Sequence, residues 1–282
     1  MTLNELSALY FNKRAAKLAR PESYDSRIRP ALLEFGDVPI EQITSALIED
    51  WRTELERPRS IHGQHRTPTP ATVNRQVAEL RRVLGWATRR GLLAACPRVE
   101  LGLEDNHRAR RCSSVEEDTL LAAASPTLRA LIIMALDTGM RDGEMLELTP
   151  FDVDLERSVI KVRGANTKSG KSRTLPINTV RLRSVLEWFL QRPGRTLTGV
   201  TKTTRRYWWD QLREIVQAQD LHWHDLRHEF ASRLAEKKVP ITEIQALLGH
   251  ASVLTTQRYI SHTLAGLAQS AHTLEQGKVF AI

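Results

Sequence analysis

Six residues in the C-terminal half of the chain have types and spacing that suit an attack on a phosphodiester without a metal ion. Two arginines could grip the phosphate oxygens, because a guanidinium presents a planar fork of N–H donors. A tyrosine could be the nucleophile, and histidines and a lysine could move protons. These residues are Arg141, Lys168, His224, Arg227, His250 and Tyr259.

Arg141 follows Gly139, a glycine predicted to end one helix, and therefore stands at the start of the next helix. A helix start offers unpaired N–H groups and partial positive charge, which suit a phosphate. Glu144 lies one turn further on and is predicted to hold the guanidinium of Arg141 in place. Taken alone, the same pair could be an ordinary surface ion pair.

Lys168 lies between two predicted strands, 158–163 and 172–177, near the tip of the hairpin they would form. A lysine there can reach into a groove and protonate an alkoxide leaving group. Lys171 is a rival for that role. Without the other motifs, a solvated turn lysine would be the default interpretation.

The segment 223–230 is predicted to be helical, with Leu226 and Phe230 on its buried face. His224 and Arg227 are three residues apart, so they share another face and could point at one phosphate. A zinc site is an alternative, because two further histidines lie close by in sequence. No carboxylate or cysteine is obviously placed to complete such a site, so no metal is expected.

His250 follows Gly249, which is predicted to stop a helix and leave the histidine at an exposed turn. Tyr259 comes nine residues later. A lone tyrosine before an isoleucine is usually a packing residue. Tyr259 becomes a candidate nucleophile only in combination with His250 and Arg227.

The elements that must position these residues are mostly helices. Apolar spacing predicts helices over 43–56 and 72–91, separated by a polar loop over 57–70. We predict a helical N-terminal domain over 1–100, a basic linker over 101–114, and a catalytic domain over 115–282. The fold class is mainly α, with one small antiparallel sheet in the second domain.

The charge balance favours a polyanionic partner. The 282 residues carry a formal net charge of +8. Residues 1–105 hold 16 basic and 14 acidic side chains, whereas residues 106–282 hold 25 and 19. The main phosphate contacts are therefore expected in the C-terminal part. A merely basic soluble enzyme is the alternative on charge alone.

Neither the cysteines nor the hydropathy pattern points to an extracellular or membrane protein. Cys96 and Cys112 are too few for a disulfide framework or a zinc module, and we expect both to be packing or surface thiols. No window approaches the roughly 20 apolar residues of a membrane span. We expect a soluble, cytoplasmic protein.

As a set, these residues resemble the tyrosine recombinases, also called phage-type integrases. The resemblance covers roughly residues 130–262. Its motifs read Thr138-Gly139-x-Arg141-x-x-Glu144-x-Leu146, Thr167-Lys168-Ser169-Gly170-Lys171, His224-x-Leu226-Arg227-His228, Leu248-Gly249-His250, and Tyr259. Two residues depart from the pattern. Glu229 replaces a small hydroxyl residue, and Asp142 places a carboxylate beside Arg141. Both are expected to point away from the phosphate.

The resemblance implies site-specific recombination of double-stranded DNA. Tyr259 would form a 3′-phosphotyrosyl link, with no cofactor, metal or ATP. Arg141, Arg227 and His250 would stabilise the phosphate, His224 would assist the nucleophile, and Lys168 would protonate the leaving oxygen. The working unit would be a homotetramer on two DNA sites, monomeric or weakly associated when free. The segment after Tyr259 could dock on its own domain or on a neighbouring subunit.

Further DNA contacts are expected from basic side chains outside this set, most of which would touch the backbone and some the bases. The candidates are Arg75, Arg82, Arg108, Arg110, Arg111, Lys171, Lys202, Arg205 and Arg206. The arginines at 108–111 could instead be solvated linker charge. Trp208 and Trp209 are interpreted as core residues rather than as a stacking platform.

Three other functions remain open at the level of sequence. The same residues would serve a topoisomerase that only relaxes DNA, and a DNA-binding regulator could keep the fold without catalysis. A metal-dependent nuclease fits least well. The target sequence, the direction of recombination and any accessory protein cannot be read from the chain, nor can the distinction between a mobile-element integrase and a chromosome-dimer resolvase.

Overall fold

The computed structural model describes residues 1–14, 21–61, 64–104, 110–164, 171–192, 194–253 and 256. The chain divides into two compact units, Met1–His107 and Arg108–Ile282. The division falls inside the segment predicted as a linker. Within the described residues, no helix is long and apolar enough to cross a bilayer.

The described residues of the first unit form four α-helices around one apolar core. They are α1 (Leu3–Arg14), α2 (Pro21–Phe35), α3 (Ser45–Leu55) and α4 (Pro70–Arg89). Tyr10 of α1 lies edge-on to Trp86 of α4, with 5.4 Å between the ring centroids. Two helices begin where threonine hydroxyls accept from backbone N–H groups, at Thr44 and Thr69. These are the two helices that the apolar spacing predicts.

The loop predicted over 57–70 was wrong in part, because a short hairpin lies there. Strand β1 (Arg59–Ile61) pairs antiparallel with β2 (Gln64–Arg66), and Arg59 lies opposite Arg66. Each strand has three residues, and their polar composition lacks the apolar alternation by which half-buried strands are recognised.

The second unit contains seven described helices and a small sheet. The helices are α5 (Ser114–Ala123), α6 (Pro126–Thr138), α7 (Asp142–Leu146), α8 (Val180–Leu190), α9 (Lys202–Ile215), α10 (Trp223–Glu236) and α11 (Ile241–Leu248). Helix α6 is buried along most of its length and packs against both α8 and α10. Its central position explains why its apolar run is nearly continuous.

The sheet has three antiparallel strands in the order β3 (Val153–Asp154), β4 (Val159–Val162) and β5 (Arg173–Pro176). The predicted hairpin is β4 and β5, in which Val162 pairs with Arg173. Strand β3 has two residues, too few to show a period. The mainly helical fold with one small sheet in its second domain is confirmed.

The predicted linker is divided between the two units. At its start, the Asn74 side chain accepts from the Gly102 N–H at 2.9 Å and donates to the Gly102 carbonyl at 2.7 Å. At its end, Arg110 forms ion pairs with Glu116 and Asp220. Both described ends are therefore tied to the unit that they adjoin.

Candidate active site

Arg141 is held at the start of α7 by the carboxylate of Glu144. The backbone N–H of Arg141 donates to Glu144 Oε2 at 3.0 Å, and its Nη1 donates to Oε1 at 2.7 Å. Glu144 is 2% exposed, whereas the Arg141 side chain keeps 26% of its surface exposed. The carboxylate therefore fixes the guanidinium from the inside and leaves one side of it accessible.

Arg173 is a second cation on the same carboxylate, and sequence reasoning missed it. Its Nη2 donates to Glu144 Oε2 at 2.7 Å and its Nη1 to Oε1 at 3.2 Å. Burial by itself raises the pKa of Glu144, but the bonds and charges of Arg173 and Arg141 outweigh it and hold that pKa below its ordinary value. Glu144 is therefore ionised at neutral pH.

Arg227 of α10 is buried between the two turns that carry Arg141 and His250. It donates from Nη1 to the Gly139 carbonyl at 2.6 Å and from Nη2 to the Leu248 carbonyl at 2.7 Å, and it is 2% exposed. Gly139 lies two residues before Arg141, and Leu248 lies two residues before His250. Arg227 thus joins both turns to α10.

His250 follows the left-handed residue Gly249 (φ 65°), which ends α11 as the sequence predicts. Its Nδ1 lies 2.8 Å from Thr256 Oγ1, and its carbonyl accepts from Gln245 Nε2 at 3.0 Å. The prediction of an exposed turn was wrong in degree, since His250 is half-buried. The contact with Thr256 accounts for part of this cover and fixes the plane of the ring.

His224 lies near the cations, and their charges act on it. Desolvation of the ring, together with His228, Arg227 and Arg141, lowers the pKa of His224 to about 4, although the residue as a whole stays exposed to solvent. The rings of His224 and His228 are 4.7 Å apart, edge to face. His224 is therefore neutral at physiological pH.

The zinc site considered as an alternative has no set of candidate ligands in the part of the chain that the structure describes. There, no three His, Cys, Asp or Glu side chains come together as a possible metal site. Asp225, a carboxylate that directly follows His224, is buried and accepts from the His222 backbone N–H at 2.7 Å. It acts as a cap for α10.

Comparison with known proteins decides the family. The profile described as "Phage integrase family" matches residues 111–265, more than half of the chain. The chain belongs to the phage integrase family. The integrases of this family are tyrosine recombinases, site-specific enzymes that act as DNA strand transferases, and this chain is one of them.

Curated relatives of this integrase are similar over most of their length. Tyrosine recombinase XerC of Roseiflexus castenholzii is 30% identical over 76% of this chain and 74% of its own. Tyrosine recombinase XerD of Ralstonia nicotianae is 27% identical over 70% of this chain and 71% of its own.

Solved structures share the fold of this integrase. The Tn1549 transposon integrase, in complex with a circular intermediate DNA, matches with a TM-score of 0.81 at 18% identity, over 97% of this chain and 99% of that one. A lambda integrase dimer on a COC′ core site matches with a TM-score of 0.71 at 20% identity, over 93% and 77%.

One predicted DNA contact of the integrase is corrected by the structure. Arg205 is 6% exposed, donates to both Asp142 oxygens at 2.9 and 2.6 Å, and lies 4.6 Å over the Trp223 ring. A guanidinium buried in this way is a structural cation. The same pair explains Asp142, whose carboxylate is turned towards Arg205.

Glu229, the other departure from the family pattern, is also turned inward. It is 3% exposed and accepts from Arg111 at 3.0 Å and from Arg233 at 2.8 Å. Arg111 has a second partner in Glu236. Arg110 and Arg111 thus form ion pairs within the second unit, and their contact with DNA stays a prediction.

The other predicted contacts differ in exposure. Arg82 is half-exposed and holds the buried Glu79 with two hydrogen bonds, at 2.9 and 2.7 Å. The exposed candidates are Arg75, Lys171, Lys202 and Arg206. Trp209 is 2% exposed, so the interpretation as a core residue is confirmed. Arg108, Lys168 and Tyr259 lie outside the described residues.

Proposed function

We propose that this integrase cleaves and rejoins DNA at specific sites through a 3′-phosphotyrosyl link to Tyr259. The observation that carries the proposal is the bonding of buried Arg227 to the Gly139 and Leu248 carbonyls. It brings together the turns of Arg141 and His250, which are far apart in sequence. Two cations and an imidazole at one place suit a phosphate whose charge grows during attack.

In the proposed cleavage step, the phenolic oxygen of Tyr259 attacks phosphorus and the bond from phosphorus to the 5′-oxygen breaks. A tyrosine with an ordinary pKa of ~10 needs help to lose its proton near neutral pH. Neutral His224 takes or shares that proton, and Lys168 protonates the leaving 5′-oxygen. In the reverse step a different 5′-hydroxyl attacks the phosphotyrosine and releases Tyr259. The phosphoester energy is kept in the link, so neither ATP nor a cofactor enters.

The proposed phosphate contacts follow from exposure. Arg141, with a quarter of its side chain exposed, binds a non-bridging oxygen, and Arg227 adds its buried charge behind it. The Thr256 contact orients the His250 ring, and we assign to its Nε2 a hydrogen bond to the same phosphate. Such donors act strongly where water is largely excluded.

We propose double-stranded DNA as the partner, drawn by the net charge of +8 and by exposed Arg75, Lys202 and Arg206. A solved lambda integrase is a tetramer bound to a Holliday junction, and its match here has a TM-score of 0.68 at 20% identity. By that analogy the working unit is a homotetramer on two DNA sites, monomeric or weakly associated when free.

The test begins by recovering DNA covalently attached to the wild-type protein from sheared genomic DNA. Two copies of the recovered site are then placed on one plasmid, and products are followed in EDTA. Recombinant molecules support the proposal. Relaxation without exchange indicates a topoisomerase, binding without cleavage indicates a regulator, and loss of activity in EDTA indicates a metal-dependent nuclease.

A further inference from the structure

The end of α11 is held by three arginines from three different elements. Carbonyls in the last turn of a helix lack intrahelical partners and carry partial negative charge. Here three consecutive ones each accept from a different guanidinium: Leu247 from Arg173 Nε at 2.8 Å, Leu248 from Arg227 Nη2 at 2.7 Å, and Gly249 from Arg141 Nη2 at 3.3 Å. His250 is the next residue. The position of its backbone is therefore set by these bonds.

Each of the three guanidinium nitrogens of Arg173 donates to a protein acceptor. Besides Leu247, it donates to both oxygens of Glu144, the carboxylate that holds Arg141. Its side chain is 9% exposed. The nitrogens of Arg173 are engaged with Glu144 and Leu247, so Arg173 holds those two groups.

A side chain at position 249 would collide with Arg173. A Cβ at position 249 would lie 2.9 Å from Arg173 Nη1 and 3.1 Å from its Cδ, and the φ of 65° is itself unfavourable for other residues. The backbone of the α11 end thus lies directly against the arginine. Arg173 is also the first residue of β5, and it pairs with Val162, the last residue of β4.

We propose that Arg173 is a positioning residue for strand transfer. It holds the start of β5, the carboxylate behind Arg141 and the helix end before His250 in one arrangement. This inference rests on the proposed function of Arg141 and His250. Lysine cannot replace Arg173 here, because one ammonium cannot reach both Glu144 oxygens and the Leu247 carbonyl in the geometry of a planar fork.

The first test needs no DNA. In Arg173→Lys the charge beside Glu144 remains, so the fold is kept, but the α11 end loses the hydrogen bond from Arg173 to the Leu247 carbonyl. Amide hydrogen exchange at residues 248–250 is expected to quicken about tenfold, with no change in α6. Arg183→Lys is the matched control, since Arg183 donates to the Leu155 carbonyl and to Ser158 Oγ in the same unit. Unchanged exchange at 248–250 would overturn the proposal.

The second test separates binding from cleavage on a nicked suicide duplex carrying the site recovered with the wild-type protein. At saturating DNA, Arg173→Lys is expected to form adduct about 10- to 100-fold more slowly while its Kd stays within about twofold, because misplacement of reacting groups acts on the chemical step. Arg183→Lys keeps both values. A wild-type cleavage rate in Arg173→Lys contradicts the inference.

A third variant guards against misfolding of Arg173→Lys. Gly249→Ala pushes a methyl group into the same arginine and must slow cleavage without weakening binding. If it cleaves at the wild-type rate, the inference is wrong. If the wild-type protein itself forms no adduct, the proposed function fails. The hydrogen-exchange comparison of Arg173→Lys with the wild type then still tests whether Arg173 holds the end of α11.

Discussion

At the scale of single residues, the site is a group of cations held together by one buried carboxylate and several carbonyls. Arg141 and Arg173 share Glu144, and Arg227 donates to the carbonyls of Gly139 and Leu248. Desolvation of the His224 ring, together with the charges of His228, Arg227 and Arg141, lowers the pKa of His224 to about 4 and keeps the ring neutral. A neutral imidazole suits the proton-accepting role that we propose for His224.

The lowered pKa of His224 predicts a pH dependence of stability. The unfolded histidine gains a proton below its ordinary pKa of 6.5, whereas the folded one does so only near 4. Stability contributed by the neutral ring is therefore fully present above pH 6.5 and is lost as the pH falls towards 4. Urea unfolding of the wild type and of His224→Gln over this range measures the effect. The wild type should lose stability relative to the variant, and parallel curves would contradict the prediction.

At the scale of elements, the site depends on the close approach of α6 and α10. Gly139 ends α6 with φ 59°, and a Cβ there would lie 2.4 Å from Phe230 Cδ1 and 3.0 Å from Leu248 Cδ2. Phe230 lies one turn from Arg227 on α10. The close approach of Gly139 to Phe230 therefore also brings the Gly139 carbonyl within reach of Arg227 on the same helix α10.

Gly139→Ala should therefore be destabilising beyond its backbone strain. A left-handed alanine costs about 1–2 kcal/mol, and the clash with Phe230 adds about 1–3 kcal/mol. Gly91→Ala is the control, because Gly91 has φ 70° with no atom within 4 Å of the added Cβ and should show the backbone part alone. Equal losses in the free energy of unfolding would show that the α6–α10 contact is not tight.

The elements also show what sequence can and cannot predict. Local signals marked the helix ends at Gly139 and Gly249, since each depends on neighbours in the chain. The β1–β2 hairpin and two-residue β3 have no local period, so they were missed. Arg173 was missed for another reason: its partners Glu144 and Leu247 lie 29 and 74 residues away, and only the fold brings them together.

At the scale of the whole molecule, several of the basic side chains are paired with carboxylates of the same unit. Arg110, Arg111 and Arg205 all form ion pairs within the second unit. The neighbours Arg205 and Arg206 show why sequence could not sort these residues. They are adjacent on α9 and equally basic, yet one is buried against Asp142 and the other is exposed, because successive helix positions point in different directions.

This contrast makes a prediction for DNA binding by the intact chain. Arg206→Gln should weaken binding and reduce the slope of log affinity against log salt by about one, as the loss of a phosphate contact does. Arg205→Gln should leave that slope unchanged and instead lower the free energy of unfolding by about 2–3 kcal/mol, since Asp142 loses its charged partner. Filter binding across salt concentrations and urea unfolding of both variants measure the two effects. The reverse pattern would place Arg205 on the DNA.

The central claim is that Tyr259 forms the covalent link to DNA. The most direct measurement is trapping on a nicked suicide duplex carrying the recovered site, followed by mass spectrometry of the phosphotyrosyl peptide. The account predicts an adduct at Tyr259, none in Tyr259→Phe although that variant still binds the duplex, and an unchanged yield in the control Tyr207→Phe, whose side chain is exposed on α9. An adduct that persists in Tyr259→Phe, or that maps to another residue, would contradict it.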